Sequence, residues 1–150
     1  MIADICNRIA DRNTPLQQAL GLCGTAIDNG LFTAMRFHAD LMEVERIYST
    51  LPDVYPVSGR KPKRDTAWGE KVLVQQQVNN GFGPADIEWA FSDHETILGL
   101  GLTAVLNIPV VRGGKVLGTI NFLRGDQPFS LQDINSGQRL AAALVDRADL

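Results

Sequence analysis

The stretch that most constrains the fold lies in the last third of the chain. Leu102, Ala104, Leu106, Ile108 and Val110 alternate with polar or smaller residues; Gly113-Gly114 follows, and Val116, Gly118, Ile120 and Phe122 resume the alternation. Period-two patterning sends successive side chains to opposite faces of a strand. A Gly-Gly pair supplies the positive φ that a two-residue hairpin turn requires. The stretch therefore predicts an antiparallel hairpin with an apolar face that another layer must cover. Ser130 and Asp133 form a capping box that opens a closing helix, and Phe129 staples its entry. Leu131, Ile134, Ala141, Leu144 and Val145 are that helix's expected buried stripe.

The front of the chain supplies covering helices. Ile2, Ile5, Cys6 and Ile9 follow helical spacing, with Asp4, Arg8, Asp11 and Arg12 on the other side. Thr14 reads as the N-cap of a second helix, with Pro15 first in the helix, Gln17 closing a capping box and Gly30 as the stop. Leu16, Ala19, Leu20, Cys23, Ala26 and Ile27 make its apolar face. From Leu31 the period changes to two. Leu31, Thr33, Met35 and Phe37 share one strand face, and Phe32, Ala34, Arg36 and His38 the other. After Ala39-Asp40, a second strand over Leu41–Thr50 sets Met42, Val44, Arg46 and Tyr48 opposite Glu43, Glu45 and Ile47. Residues 51–65 carry three prolines and no periodicity, which predicts a long loop of the functional kind. A helix over Thr66–Val78, ended by Asn79-Asn80-Gly81, a short strand with Ile87, Trp89 and Phe91 alternating, and a brief helix over Asp93–Gly99 complete the expected elements. The order predicts an α+β domain around an antiparallel sheet.

Composition narrows the class. Over 150 residues the chain is 45% hydrophobic and 21% charged, apolar enough to bury a core and so not a disordered chain. A net charge of −3 argues against a nucleic-acid partner held by counterion release. The sequence has no apolar run of membrane-spanning length, and its first residues lack the pattern of a signal peptide, so no membrane partner and a cytoplasmic location are expected. One domain over residues 1–150 is expected: N-terminal helices over 1–30, sheet and pocket loops over 31–123, and a C-terminal helix over 130–149. The two cysteines, Cys6 and Cys23, sit on apolar helical faces without a CxxC pair, which reads as small buried hydrophobes; a disulfide between the two helices is the other reading.

With these elements in place, the chain resembles GAF domains, the small-molecule-binding relatives of the PAS fold. The resemblance spans essentially the whole chain and rests mainly on residues 97–134, where Pro109, Gly113-Gly114, Gly118, Phe129 and Asp133 stand as in that family. It implies a central antiparallel sheet flanked by helices, with the N- and C-terminal helices packed together. It also implies a ligand pocket walled by the loops around residues 51–68 and a homodimer through the terminal helices. Cyclic-nucleotide-binding members carry an Asn-Lys…Phe…Asp-Glu pattern. Asn121, Phe129 and Asp133 match it, but Phe122 stands in place of the Lys and Ile134 in place of the Glu. The cysteines lie outside the region where methionine-sulfoxide reductases of this fold or bilin-binding members need them, and only His38 and His94 could ligate haem. No cofactor and no metal site are expected.

Two local anomalies remain. Arg60, Lys61, Lys63 and Arg64 put four basic residues within five positions; removing them takes the net charge from −3 to −7. With Asp65, Thr66 and Trp68 alongside, this segment reads as a clamp for a carboxylate or phosphate, and equally as a solvated loop. Ser92-Asp93-His94-Glu95 reads either as a helix-capping sequence or as an imidazole tuned by carboxylates. Aromatic residues Tyr48, Tyr55, Trp68, Trp89 and Phe91 suit a pocket or a core, and Asn107 and Asn121, mid-strand on adjacent strands, suit a ligand or a solvated face. The expected ligand-binding residues are Arg60, Lys63, Arg64, Asp65, Trp68 and His94. The expected function is a sensor or regulatory module binding a small anionic metabolite. The alternative is an enzyme of the same fold using acid–base chemistry, with His94, Asp93 and Glu95 as its catalytic group.

Overall fold

The Gly113-Gly114 turn has φ values of 57° and 78°, and it joins β5 (Ala104–Arg112) to β6 (Lys115–Arg124) in the expected antiparallel hairpin. In the computed structural model, which describes residues 1–147 and 149–150, this hairpin sits inside a six-stranded antiparallel sheet. The other strands are β1 (Leu31–His38), β2 (Glu43–Ser49), β3 (Arg60–Pro62) and β4 (Asn79–Phe82), and the spatial order is β3-β2-β1-β6-β5-β4. The helices are α1 (Ile2–Ala10), α2 (Leu16–Ala26), α3 (Pro84–Ala90), α4 (His94–Gly99) and α5 (Leu131–Val145), with a π-helical segment over Gly69–Val74.

One sheet face carries the helical layer. Phe32, Ala34, Leu106, Ile108, Ile120 and Phe122 pack there against Ile9, Leu20, Cys23, Leu140 and Leu144 from α1, α2 and α5. Each Leu, Ile or Phe among them contributes roughly 1.5–3 kcal/mol on burial, so this layer is the main stabilising core. The terminal helices α1 and α5 pack against each other; α5 lies on β5, and α1 packs on α5 and α2. Gly137 lets α5 approach closely, since a Cβ there would lie 2.0 Å from Ile108 Cδ1. The expected capping box is present: Asp133 N donates to Ser130 Oγ at 3.1 Å and Ser130 N donates to Asp133 Oδ2 at 2.9 Å. Leu131, by contrast, is 79% exposed, because the buried stripe of α5 runs through Gly137, Leu140, Ala141 and Leu144.

Several local expectations are corrected. Pro15 rather than Thr14 stands at the α2 N-cap; Gln17 bonds the Ile47 carbonyl across to β2 instead of closing a box, and α2 ends at Ala26, short of Gly30. A β-bulge between Ala34 and Met35 shifts the β1–β2 register, so Tyr48 leaves the face of Val44 and Arg46 and packs on Phe32 at 5.8 Å between ring centroids. The helix expected over Thr66–Val78 closes with the π-helical segment at Val74, and Asn79-Asn80-Gly81 belongs to β4. The strand expected around Ile87–Phe91 is the helix α3. Gly83 (φ 96°) followed by Pro84 sets the helix start, and Phe82 N donates to Asp86 Oδ2 at 2.8 Å. Ile87 and Ala90 are buried while Trp89 is 45% exposed, the three-residue rhythm of a helix rather than the two of a strand.

Candidate ligand-binding site

The second face of the sheet is built around polar side chains in register. Asn79, Asn107, Asn121 and Thr33 pair side by side across β4, β5, β6 and β1. All four are buried. Asn79 Nδ2 donates to Asn107 Oδ1 at 3.0 Å, Asn107 Nδ2 to Asn121 Oδ1 at 2.9 Å, and Asn121 Nδ2 to the Thr33 hydroxyl and carbonyl at 3.3 Å each. Lys71 caps one end by donating to Asn79 Oδ1 at 3.2 Å. Burying amides is favourable only when their donors and acceptors are matched, and this row matches them. Asn107 and Asn121 thus face neither solvent nor open cavity. The row also holds Trp68, whose Nε1 donates to Asn107 Oδ1 at 3.0 Å.

Trp68 forms a wall of a cavity on this face. Leu31, Thr33, Met35 and Leu123 from the sheet, Ala90, Phe91 and Ile97 from the α3–α4 region, and Tyr55 from the long loop complete its largely apolar lining. Four charged side chains enter it: Arg46, Lys61, Lys63 and Asp93. The enclosed volume is about 30 Å³, a space on the scale of single waters. An open groove of about 690 Å³ lies beside it and shares Lys61, Lys63, Trp68, Ala90 and Phe91, with Pro62, Thr66, Glu88, Trp89, Ser92 and His94 as further walls.

Strand alternation divides the basic cluster. Lys61 on β3 pairs with Val44 and faces inward, where its Nζ lies 3.5 Å from Asp93 Oδ1. Lys63, just after β3, sits with its Nζ 5.0 Å from the centre of the Trp68 ring. Burial holds its pKa below the ordinary lysine value, and Lys61 pushes the same way while Asp93 partly offsets both. The turn that presents Trp68 is tight: Thr66 Oγ1 donates to the Lys63 carbonyl at 2.7 Å and accepts from Gly69 N at 3.0 Å. Gly69 is required there, since a Cβ would lie 2.4 Å from the Lys63 carbonyl oxygen.

Arg46 and Tyr55 form the least satisfied part of the lining. The guanidinium stacks over the Tyr55 ring at 5.0 Å, and Nη1 donates to the Pro56 carbonyl at 3.0 Å. Arg46 Nε and the Tyr55 hydroxyl are buried and hydrogen-bonded to nothing. Burial lowers the Arg46 pKa from its usual value, with Asp93 opposing the shift. Burial raises the Tyr55 hydroxyl's, and the Asp93 carboxylate adds to that rise without closing a hydrogen bond of ordinary geometry.

Of the residues expected from sequence, Lys63 and Trp68 line both cavity and groove, and His94 lines the groove. Arg60 points the other way, 3.5 Å from Glu43 and 3.6 Å from Glu45, which also bonds His38 at 2.8 Å. Arg64 and Asp65 are exposed in the turn after β3 and line neither space. Asp93 stands at the α4 N-cap, but its side chain makes no capping bond and reaches Lys61 instead. Asp93 therefore enters the inner cavity, His94 borders the outer groove, and Glu95 is exposed, so the three do not converge on one point. Arg46 is the lining residue that sequence reasoning missed; Tyr55 entered only among the aromatic residues suited to a pocket or a core, and Lys61 only as part of the basic run. The available signal was Arg46 in alternation with Val44, a charge on an otherwise apolar strand face. Among the described residues, no three of His, Cys, Asp and Glu gather as a metal-holding group, and no helix is long and apolar enough to cross a membrane.

No protein-family model matches the sequence, and no curated protein matches it. Solved structures do. The GAF domain of a phosphoenolpyruvate-protein phosphotransferase from Coxiella burnetii is 18% identical over 96% of this chain and 90% of its own, with a TM-score of 0.77. The corresponding domain from Acinetobacter is 16% identical over 96% and 87%, with a TM-score of 0.73. The phycocyanobilin-bound GAF domain of a cyanobacterial phytochrome is 14% identical over 97% and 92%, with a TM-score of 0.74. Similarity of this extent at such low identity establishes architecture, and the chain has the GAF-domain fold.

Proposed function

We propose that this domain is a sensor or regulatory module that binds a small anionic metabolite between the sheet and the 51–68 segment. One observation carries the reading. Arg46, Lys61 and Lys63 line a single apolar cavity in which Asp93 is the one carboxylate, leaving it with an excess of positive charge. These side chains are partly buried, and partly buried charges of one sign are costly unless something neutralises them; a bound anion does so where the local dielectric strengthens its attraction. Lys63, Trp68 and His94 are the binding residues expected from sequence that this reading keeps at the site, and Arg46, Lys61 and Tyr55 join them. Arg60, Arg64 and Asp65 would then contribute only to the field around the entrance. As a sensor, the domain would pass the binding event on through a homodimer formed by α1 and α5.

A thermal-shift panel of small carboxylates and phosphates tests this. A ligand of the site raises Tm for wild type and for Arg64→Ala, and loses that effect with Lys63→Met. A panel in which no anion shifts the wild type refutes the reading. Light scattering with and without the hit tests the dimer: a ligand-independent monomer removes that part of the proposal.

A further inference from the structure

The unsatisfied atoms in the cavity define the chemistry of the ligand's head group, given the anion site proposed above. We infer that the site takes a monocarboxylate with a flat, apolar body: the carboxylate enters the inner cavity at Arg46 and Tyr55, and the body lies in the groove against Trp68 and Trp89. Arg46 Nε is a buried donor without an acceptor, and the Tyr55 hydroxyl closes no hydrogen bond of ordinary geometry either, although the Asp93 carboxylate acts on it. Native proteins rarely leave such groups unmatched, since each costs about as much as a lost hydrogen bond. Because Nη1 is committed to the Pro56 carbonyl, the guanidinium meets a ligand through its Nε edge. That edge matches a planar carboxylate, which accepts from Nε through one oxygen and leaves lone pairs for the Tyr55 hydroxyl and Lys63.

Size favours carboxylate over phosphate. The enclosed space is about 30 Å³, about twice what one water needs, which suits a flat three-atom carboxylate better than the bulkier tetrahedral phosphate. The groove outside is of another character. Trp68, Phe91, Ala90, Pro62 and the half-exposed Trp89 give it apolar walls, with the Lys71 ammonium 5.6 Å from the Trp89 ring centre. Exposed aromatic surface beside a charged pocket suits a ligand with one ionised end and an apolar plane.

Calorimetry on the full chain with phenylacetate, acetate, phenylacetamide and phenyl phosphate tests the inference. Phenylacetate is expected to bind at least about tenfold more tightly than the uncharged amide, and more tightly than phenyl phosphate. Arg46→Gln lowers its affinity about tenfold or more; Tyr55→Phe, which keeps the ring under the guanidinium, lowers it severalfold. Trp89→Ala weakens phenylacetate but leaves acetate unchanged. Equal binding of acid and amide, or affinity indifferent to both Arg46→Gln and Tyr55→Phe, overturns the inference. Preference for phenyl phosphate, lost with Lys63→Met, also overturns it while the general anion site stands. Binding of no anion at all refutes both.

Discussion

Trp68 Nε1 donates to Asn107 Oδ1 at 3.0 Å, tying a wall of the cavity to the middle of the sheet. The same oxygen accepts from Asn79 Nδ2 at 3.0 Å, and the Asn107 amide nitrogen bonds Asn121. Asn107 is therefore the junction of the buried polar row, and what happens at this residue reaches both the sheet and the candidate site.

Asn107→Leu keeps the branched shape and removes the junction. It strands the buried Trp68 and Asn79 donors and the buried Asn121 acceptor, so we expect a loss of about 2–4 kcal/mol in urea unfolding. A Trp89→Phe background leaves Trp68 as the sole tryptophan, and its emission should shift when the anchor is cut. A stability change under 1 kcal/mol, within the ordinary range of exposed substitutions, would show that the row is not carrying structure.

The row also marks the division between what could and could not be read from sequence. The hairpin around Gly113-Gly114, the Ser130–Asp133 box and the apolar faces of α1, α2 and β1 are local signals, and they appear as expected. The role of Asn107 was not local, since its partners lie 28, 14 and 39 residues away. Ile87, Trp89 and Phe91 alternate as a strand does, but over so short a stretch that the alternation carried little weight against Gly83 with its positive φ and Pro84 at the start of α3. The basic run of 60–64 signalled a cationic region, but which residues turn inward depends on the pairing of β3 with β2, which no local pattern in the loop specifies.

Arg147 is 1% exposed, yet its guanidinium is fully occupied. Nη1 donates to the carbonyls of Ile9 (2.7 Å) and Asp11 (3.2 Å), Nη2 to that of Thr14, and Asp149 takes Nε and Nη2 at 3.0 and 3.1 Å. Arg147→Met is expected to cost about 3–5 kcal/mol, because it abandons buried carbonyls and undoes the link between the chain's two ends. The bond to Arg147 holds the Asp149 pKa below its ordinary value. The linked stabilisation is present above the ordinary carboxylate pKa and fades as pH falls through the lowered one. The gap between wild type and Asp149→Asn in unfolding free energy should therefore close on acidification; a gap constant with pH would contradict the assignment.

Gly118 and Gly99 make a matched pair. A Cβ on Gly118 would lie 2.0 Å from the Met35 carbonyl oxygen and 3.1 Å from its carbon, backbone atoms of the paired strand that cannot turn aside. A Cβ on Gly99, at the end of α4, meets nothing within 4 Å. Gly118→Ala should cost several kcal/mol, about 3 or more, or prevent folding, whereas Gly99→Ala should be neutral or gain up to about 1 kcal/mol from reduced chain entropy. Thermal melts of the two variants distinguish the effects directly, and a tolerated Gly118→Ala would mean that β1 and β6 lie farther apart.

Cys23 is buried among the helices while Cys6 is partly exposed, and both are free thiols. Burial, with Cys6 adding to it, pushes the Cys23 pKa from 9.0 up to about 12. In the native protein iodoacetamide should therefore label Cys6 and spare Cys23 until the chain unfolds. The raised pKa also sets a slope of stability with pH. Above 9 the unfolded chain releases the Cys23 proton while the folded chain keeps it, so the folded state binds more protons and stability falls as pH rises. Between the two values the decline is about 1.4 kcal/mol per pH unit, and below the lower one it vanishes. Unfolding free energies of wild type and Cys23→Ala, measured at about pH 8 and about pH 10, should differ by a smaller amount at the higher pH. A difference that stays constant would mean that the thiol is reached by solvent in the native state.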